Sequence, residues 1–574
     1  MSLDAQANGA GERPLLVDVQ GLSIGFASAG AGAPIVQGVD LALHAGECVA
    51  LVGESGSGKS LTARSLLNLA GDGAVVEARR FRIQGRDARA FREADWRRLR
   101  GTVTGLVMQD ALVSLDPLRT IGQEVAEVLS EHRILCGRRA IDARVIDVLS
   151  KVGVPDPEIR ARQYAHQLSG GLRQRALIAS AIAGEPDLII ADEPTTSLDV
   201  TVQAQVLQVL AQRVRAGAGL LLISHDLAVV SGIADRVIVL RDGRVVDSGP
   251  TADVLTRPRH PYTRQLIAAI PSFASRGRRL GSPTPSRPVG RISERITVVR
   301  DPLPPHQDRR VVLEVRGIAK DYARTPGLGR RTHTTAALDD VSFDVKAGEV
   351  VGIVGESGSG KSTCARIVLG LLAPDRGAVR LLGEPWSGIR ETERRRLRPR
   401  LQYIPQDALS SFDPRYRVSE IIAENLAGLR PADRRTRTVE LLEQVGLRAD
   451  VVDRYPRSLS GGQRQRVSIA RALAAEPVVI VCDEPVSALD IGIQAQVLDL
   501  LGDLRARLGT ALLFISHDLG VIQHLADRVL VFHDGRIVEH GPVGEVLTTP
   551  ADPYTRTLLA SQPRLERSLT QHPH

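Results

Sequence analysis

The octet GESGSGKS occurs twice, at residues 53–60 and 355–362, and its chemistry suits phosphate. Glycines let consecutive backbone N–H groups turn toward an oxyanion at a helix N-terminus, where the dipole favours negative charge. The nucleotide-binding set in the first copy is Gly53, Glu54, Ser55, Gly56, Ser57, Gly58, Lys59 and Ser60. In the second copy it is Gly355, Glu356, Ser357, Gly358, Ser359, Gly360, Lys361 and Ser362. Lys59 and Lys361 are expected to reach the β- and γ-phosphates, and Ser60 and Ser362 to offer a hydroxyl to Mg²⁺. Two further apolar runs, LIIAD and VIVCD, end in Asp192 and Asp483, which are expected to bind Mg²⁺ directly or through water. Glu193 and Glu484 follow at once, placed to polarise a water attacking the γ-phosphate.

These residues need strands that deliver them to one edge and helices that begin there. The runs ECVALVG and EVVGIVG read as buried parallel strands that lead through the glycine loop into a helix. GLLLIS and ALLFIS read as another buried pair. Strand–loop–helix alternation predicts an α/β domain with a mostly parallel sheet, present twice. HQLSGGLRQRALIASAI answers RSLSGGQRQRVSIARAL, and RDGRVVDSGP answers HDGRIVEHGP, at a nearly constant offset. The expected organisation is a tail (1–12), a first domain (13–270), a linker rich in Pro, Ser and Arg (271–310), a second domain (311–563) and a tail (564–574). As a flexible coil, that linker would reach roughly 35 Å root-mean-square.

Composition narrows the class. The chain has 574 residues, 43% hydrophobic and only 3% aromatic, so aliphatic side chains must fill the cores. A net charge of +8 spread over this length is mild. The N-terminus lacks a basic-then-apolar signal pattern, and no apolar run is long enough to span a membrane. Cys48, Cys136, Cys364 and Cys482 form no C-x-x-C pair, which argues against a zinc or redox motif and for reduced thiols.

LSGGLRQR and LSGGQRQR lie between the glycine loop and the Asp-Glu strand in each half, and with them the chain resembles the ATP-binding cassette (ABC) ATPases. The resemblance covers about residues 15–270 and 311–563. It implies two tandem P-loop NTPase cores, each with an antiparallel β subdomain and a helical signature subdomain. It also implies that cassettes pair head to tail, Lys59 sharing a site with Ser460 and Lys361 with Ser169. The signature residues Ser169, Gly170, Gly171, Ser460, Gly461 and Gly462 then complete the ATP sites. Gln109 and Gln406 match the family's glutamine loop, which touches Mg²⁺ and the attacking water. His225 and His517 match the switch histidine at the γ-phosphate, and Asp199 and Asp490 the loop that communicates between sites. Phe26 and Tyr322 lie where the family stacks an aromatic on adenine. Leu172 stands where the second copy has Gln463, yet both copies keep the Glu after the Asp, so two competent sites are expected.

The tails TRPRHPYTRQLIAAIP and TTPADPYTRTLLASQP resemble the dipeptide, oligopeptide and nickel importer group, with two ATPase subunits fused. The resemblance implies ATP and Mg²⁺ as cofactors and two membrane permease subunits as partners. It implies an extracytoplasmic solute-binding protein as an indirect partner, no nucleic acid, and a peripheral location on the cytoplasmic side of the membrane. The stretches after the tails contain no Cys, so no iron–sulfur cluster is expected. The peptide reading leads. A nickel or metal-chelate importer is the near alternative, and a soluble translation factor acting on ribosomes is the alternative from another class.

Overall fold

The computed structural model describes residues 13–26, 34–109, 111–195, 198–281, 309–324, 333–487 and 489–562. The expected tails 1–12 and 564–574, and positions 282–308 of the expected linker, lie outside the described residues. The chain divides into two compact units. One holds the residues up to Leu198 with Val202–Ile267, and the other Asp199–Thr201 with Ala268–Gln562.

Each unit has a six-stranded sheet with the same strand order. In the first it runs Arg244–Pro250, Arg236–Arg241, Cys48–Val52, Gly219–Ile223, Leu188–Asp192, Thr104–Val107. Only the Arg244–Pro250 edge strand is antiparallel. In the second it runs Arg536–Pro542, Arg528–His533, Val350–Val354, Ala511–Ile515, Val479–Asp483, Leu401–Ile404, again with one antiparallel edge. All five residues of Cys48–Val52 and of Val350–Val354 are buried. That is the pattern of a parallel strand covered on both faces, where each aliphatic side chain contributes roughly 1.5–3 kcal/mol by leaving water.

An antiparallel sheet built on Leu15–Phe26 and Val36–His44 accompanies the first, and one on Val311–Arg324 and His333–Lys346 the second. In the first unit the helices Ile121–Glu131, Arg138–Lys151 and Gly170–Ala183 pack on one another. Val418–Ala423, Pro431–Gln444 and Gly461–Ala474 do so in the second. This is the α/β class with two subdomains that the sequence predicts. Cys48, Cys364 and Cys482 are buried thiols and Cys136 is an exposed one. Among the described residues no helix is long and apolar enough to cross a membrane.

The start of the expected linker is structured. Residues 268–281 belong to the second unit, and Phe273–Ser275 form a short 3₁₀ turn there.

Candidate functional site

The glycine loops join the central strands to the helices Lys59–Ser65 and Lys361–Val368. Gly53 and Gly355 need their glycine. A Cβ at either would lie 2.2 Å from a carbonyl oxygen, of Leu240 or Phe532, and φ is +148° and +145°. At Gly56 and Gly358 a Cβ would meet nothing within 4 Å, so the loop's outer arc is open to a close-approaching group. Lys59 Nζ donates to the carbonyls of Gly53 (2.7 Å) and Glu54 (2.8 Å), and Lys361 Nζ to those of Gly355 (2.8 Å) and Glu356 (2.6 Å). Burial pushes the Lys361 ammonium below the usual lysine range, against the pull of Glu484 and Asp483.

Beside each loop, the strand ending in Asp delivers a three-residue cluster. Gln109 Nε2 donates to Glu193 Oε2 at 2.9 Å, and His225 Nδ1 lies 3.3 Å from Glu193 Oε1. Gln406 Nε2 donates to Glu484 Oε2 at 2.9 Å, and His517 Nδ1 lies 3.3 Å from Glu484 Oε1. Glu193 and Glu484 have left-handed backbones, φ +49° and +47°, held by N–H bonds to Ile223 and Ile515 of the next strand. Strain of this kind persists where the surroundings over-determine a conformation, and here it aims each carboxylate off the strand end. Burial raises the Glu484 carboxyl, but the hydrogen bond and charge of His517 outweigh it, and the net shift is downward. Burial lowers His517, but its bond to Glu484 outweighs that, and the net shift is upward. The pair therefore favours a carboxylate facing an imidazolium.

The preceding carboxylates differ between the copies. Asp192 accepts from Ser60 Oγ at 2.9 Å and lies 3.5 Å from the Arg64 guanidinium. Asp483 accepts instead from the hydroxyl of Tyr403 at 3.4 Å, a residue that aligns with Leu106. Burial raises both carboxyls, and burial followed by the charge of Asp483 pushes Tyr403 up to about 12. A buried carboxylate within one hydrogen bond of a serine hydroxyl suits Mg²⁺, which takes hard oxygen donors and one or two carboxylates beside substrate phosphates. Among the described residues no group of three or more His, Cys, Asp or Glu forms a closed metal cage.

The signature residues sit at helix starts. Ser169 caps Gly170–Ala183 by accepting from Leu172 N (3.4 Å), and Ser460 caps Gly461–Ala474 by accepting from Gln463 N (3.3 Å). Only the second closes the reciprocal bond, Ser460 N to Gln463 Oε1 at 3.1 Å, which Leu172 cannot make. Asp490 stands at the N-cap position of the helix Ile491–Leu508 without a side-chain capping bond, and Asp199 stands just before Val200–Arg215. Phe26 ends its strand half-buried, whereas Tyr322 is 42% exposed on the matching strand.

Two residues escaped the sequence reading of site chemistry. The tyrosines of the two Pro-Tyr-Thr tails reach back to the glycine loops. Glu54 N donates to Tyr262 Oη at 3.1 Å, and Glu356 N donates to Tyr554 Oη at 3.0 Å. Arg241 lies over the Tyr262 ring and His533 stacks on Tyr554. The signal available in the sequence is the recurrence of Pro-Tyr-Thr at matching places in both copies. In the sequence the motif marks a family, and in the structure its tyrosine braces the glycine loop.

Comparison with known proteins follows the same outline. The ABC transporter family model matches residues 36–196 and 338–487. The model for the oligopeptide/dipeptide transporter C-terminal region matches 246–292 and 538–573, which include both tyrosines. The chain is 40% identical over 604 residues to the oligopeptide transport ATP-binding protein OppD of Mycobacterium tuberculosis, covering 96% of this chain and 98% of that one. It is 40% identical over 560 residues to the peptidoglycan transport ATP-binding protein YejF of Agrobacterium fabrum, covering 96% and 97%. It is 39% identical over 570 residues to the glutathione import ATP-binding protein GsiA of Escherichia coli, covering 96% and 90%. Among solved structures, the archaeal ribosome recycling factor aABCE1 aligns over 90% of this chain and 89% of its own, with TM-score 0.56. At 21% identity that likeness concerns the fold alone.

Proposed function

This chain belongs to the ATP-binding subunits of ABC transporters, in the oligopeptide/dipeptide branch, and from that premise we propose how it works as the ATPase subunit of a peptide importer. It binds and hydrolyses ATP, and hydrolysis is coupled to transport. The observation that carries the catalytic reading is the repeated cluster Gln109–Glu193–His225 and Gln406–Glu484–His517, set at the same distances in both copies.

In this reading Glu193 and Glu484 orient and polarise the attacking water, and His225 and His517 face the γ-phosphoryl group. Gln109 and Gln406 hold the carboxylates in place until substrate arrives. Lys59 and Lys361 exchange their loop carbonyls for phosphate oxygens. Ser60 with Asp192, and Ser362 with Asp483, would hold Mg²⁺, which would supply neutralisation of phosphate charge when bound. Phe26 and Tyr322 support adenine, the signature serines and glycines complete phosphate contacts, and Asp199 and Asp490 carry communication between sites. The partners in this reading are two permease chains that supply the membrane spans, fed by an extracytoplasmic solute-binding protein, with this subunit on the cytoplasmic face.

The solute class follows the relatives, whose names carry oligopeptides, peptidoglycan and glutathione. The test is ATP-dependent uptake in proteoliposomes containing the chain with its co-purifying membrane proteins. Dipeptides, longer peptides, glutathione and nickel chelates serve as competing solutes. Uptake of a peptide class, abolished by Glu193→Gln with Glu484→Gln, is the expected result. Stable association with ribosomes and none with membranes would overturn the importer reading.

A further inference from the structure

The segment Pro271–Gly281 lies within the matched C-terminal region, beyond the Pro-Tyr-Thr tail, and makes contacts that the ATP-site motifs do not explain. Ser275 Oγ lies 2.9 Å from His524 Nδ1. Arg276 donates to the carbonyl of Gln523 at 3.5 Å and pairs with Asp527 at 3.5 Å. Arg279 pairs with Asp503. The backbone N–H groups of Leu280 and Gly281 both donate to Asp499, at 3.1 and 2.8 Å. Asp499 is 7% exposed, and Leu280 is buried beside it. A carboxylate so deeply placed is costly without partners, and this segment supplies two backbone donors.

The surface that receives the segment is special to the second copy. Aligning the two halves of the sequence sets Asp499 against Gln208, Asp503 against Gln212, His524 against Gly232 and Gly520 against Ala228. Gly520 is the telling position, because a Cβ there would lie 2.6 Å from the carbonyl oxygen of Pro271. The alanine carried by the first copy would close the notch. Four differences that each favour the same contact are a pattern of fitted surfaces, not of a linker lying on whatever is near.

The contacted elements bear on the site. Asp499 and Asp503 lie on Ile491–Leu508, the helix that starts at Asp490. His524 lies on Leu519–Leu525, which follows His517 and is capped by Asp518. Near their starts these helices are linked by Gln494 Nε2 to Asp518 at 3.5 Å.

We propose that Pro271–Gly281 is a strap that clamps these two helices of the second unit at a fixed spacing, and that Ser275, Asp499, Gly520 and His524 are positioning residues for His517 and Asp490. The proposal rests on the assignment of His517 and Asp490 to ATP chemistry. The strap sets the angle at which His517 meets Glu484 and the γ-phosphoryl group, so it acts on turnover more than on ATP affinity.

The test uses the full chain. The variant Asp499→Gln with Gly520→Ala and His524→Gly gives the second unit the residues that the same helices of the first unit accommodate. A second variant, Ser275→Ala, changes the strap alone, with Ser275→Thr as its conservative partner. Two readouts are taken: tryptic cleavage after Arg276 and Arg279, and steady-state ATP hydrolysis resolved into kcat and KM. In the triple variant, cleavage is expected to rise about tenfold, the population shift that follows from losing one or two net hydrogen bonds. The kcat should fall severalfold with KM for ATP unchanged. Ser275→Ala should show both effects more weakly, and Ser275→Thr should restore them. Unchanged cleavage in both variants would remove the strap, whatever the chain transports. Raised cleavage with unchanged kcat would leave an anchor without a positioning role and overturn the proposal.

Discussion

Lys59 and Lys361 bond the same two carbonyls of their own loops, and Glu193 and Glu484 are held by the same Gln and His partners at matching distances. One step outward the two copies part. Asp192 leans on a serine and an arginine where Asp483 leans on Tyr403. Ser460 has a reciprocal cap that Ser169 lacks, and residues 268–281 belong to the second unit. Groups placed to meet phosphate have one workable geometry, which accounts for their matching arrangement in the two copies. Groups that only support those positions have several solutions, and there the copies differ. The two sites are therefore expected to share chemistry and to differ in rate constants and stability.

The largest effect should come from the shared part. Glu193→Gln or Glu484→Gln each removes the carboxylate proposed to polarise water, a role that contributes about 10²–10⁴-fold. The double variant should lose turnover by at least that factor while still binding ATP, checked by steady-state hydrolysis beside equilibrium nucleotide binding. If one single variant keeps most activity and the other keeps almost none, the copies are unequal in chemistry as well as in support.

Next in size are the bracing tyrosines. Tyr262→Phe and Tyr554→Phe keep the rings, with the Arg241 and His533 contacts, but leave Glu54 N–H or Glu356 N–H without its acceptor. A lost bond of this kind costs about 1–1.5 kcal/mol, so KM for ATP should rise about five- to tenfold in each. Equal effects would place the brace among the shared features.

A pH measurement sharpens the second site. The His517 pKa is raised from 6.5, so its stabilisation is fully present below pH 6.5 and is lost as pH rises through the folded value. The Glu484 pKa is lowered from 4.5, so its stabilisation is present above pH 4.5 and is lost as pH falls through the folded value. The pair should contribute most between those limits. Thermal melts of His517→Ala against the parent chain should show the largest gap near pH 5.5 and a smaller gap at pH 8. A gap that does not vary with pH would mean that the pair is not charged.

The smallest effect tests the cap. Gln463→Leu copies the first signature into the second and removes the bond from Ser460 N–H. The expected cost is about 0.5–1 kcal/mol, a fall in melting temperature of roughly 2 °C for a unit of this size. Leu172→Gln should move the first unit the other way.

What could be read from the sequence follows how far each contact reaches along the chain. The glycine loops and the Asp-Glu pairs are set by residues within a few positions of one another, so spacing revealed them, and the apolar runs before them gave the buried strands. The signature was legible as a resemblance, its helix caps only in the structure. Tyr262 could be placed in a family but not at the loop, because its partner Glu54 lies 208 positions away. Segment 271–281 reads as linker because Pro, Ser and Arg dominate it. Asp499 and His524, which order it, lie well over 200 positions further on. Tyr403 was invisible for a related reason: its hydroxyl matters only through Asp483, on the neighbouring strand.

The position of residues 268–281 also decides where the molecule can be divided. The repeat invites a cut that starts the second half near residue 309. A fragment beginning there would carry Asp499 without the two amides that bond it, losing two charge-assisted hydrogen bonds in exchange for water. It would also leave the groove around Gly520 open to solvent and to neighbouring chains. A fragment beginning at Ala268 takes its own covering with it. Melting curves of two such second-half fragments, identical except for the stretch before residue 309, should therefore separate. The repeat boundary in the sequence and the folding boundary in space are some forty residues apart.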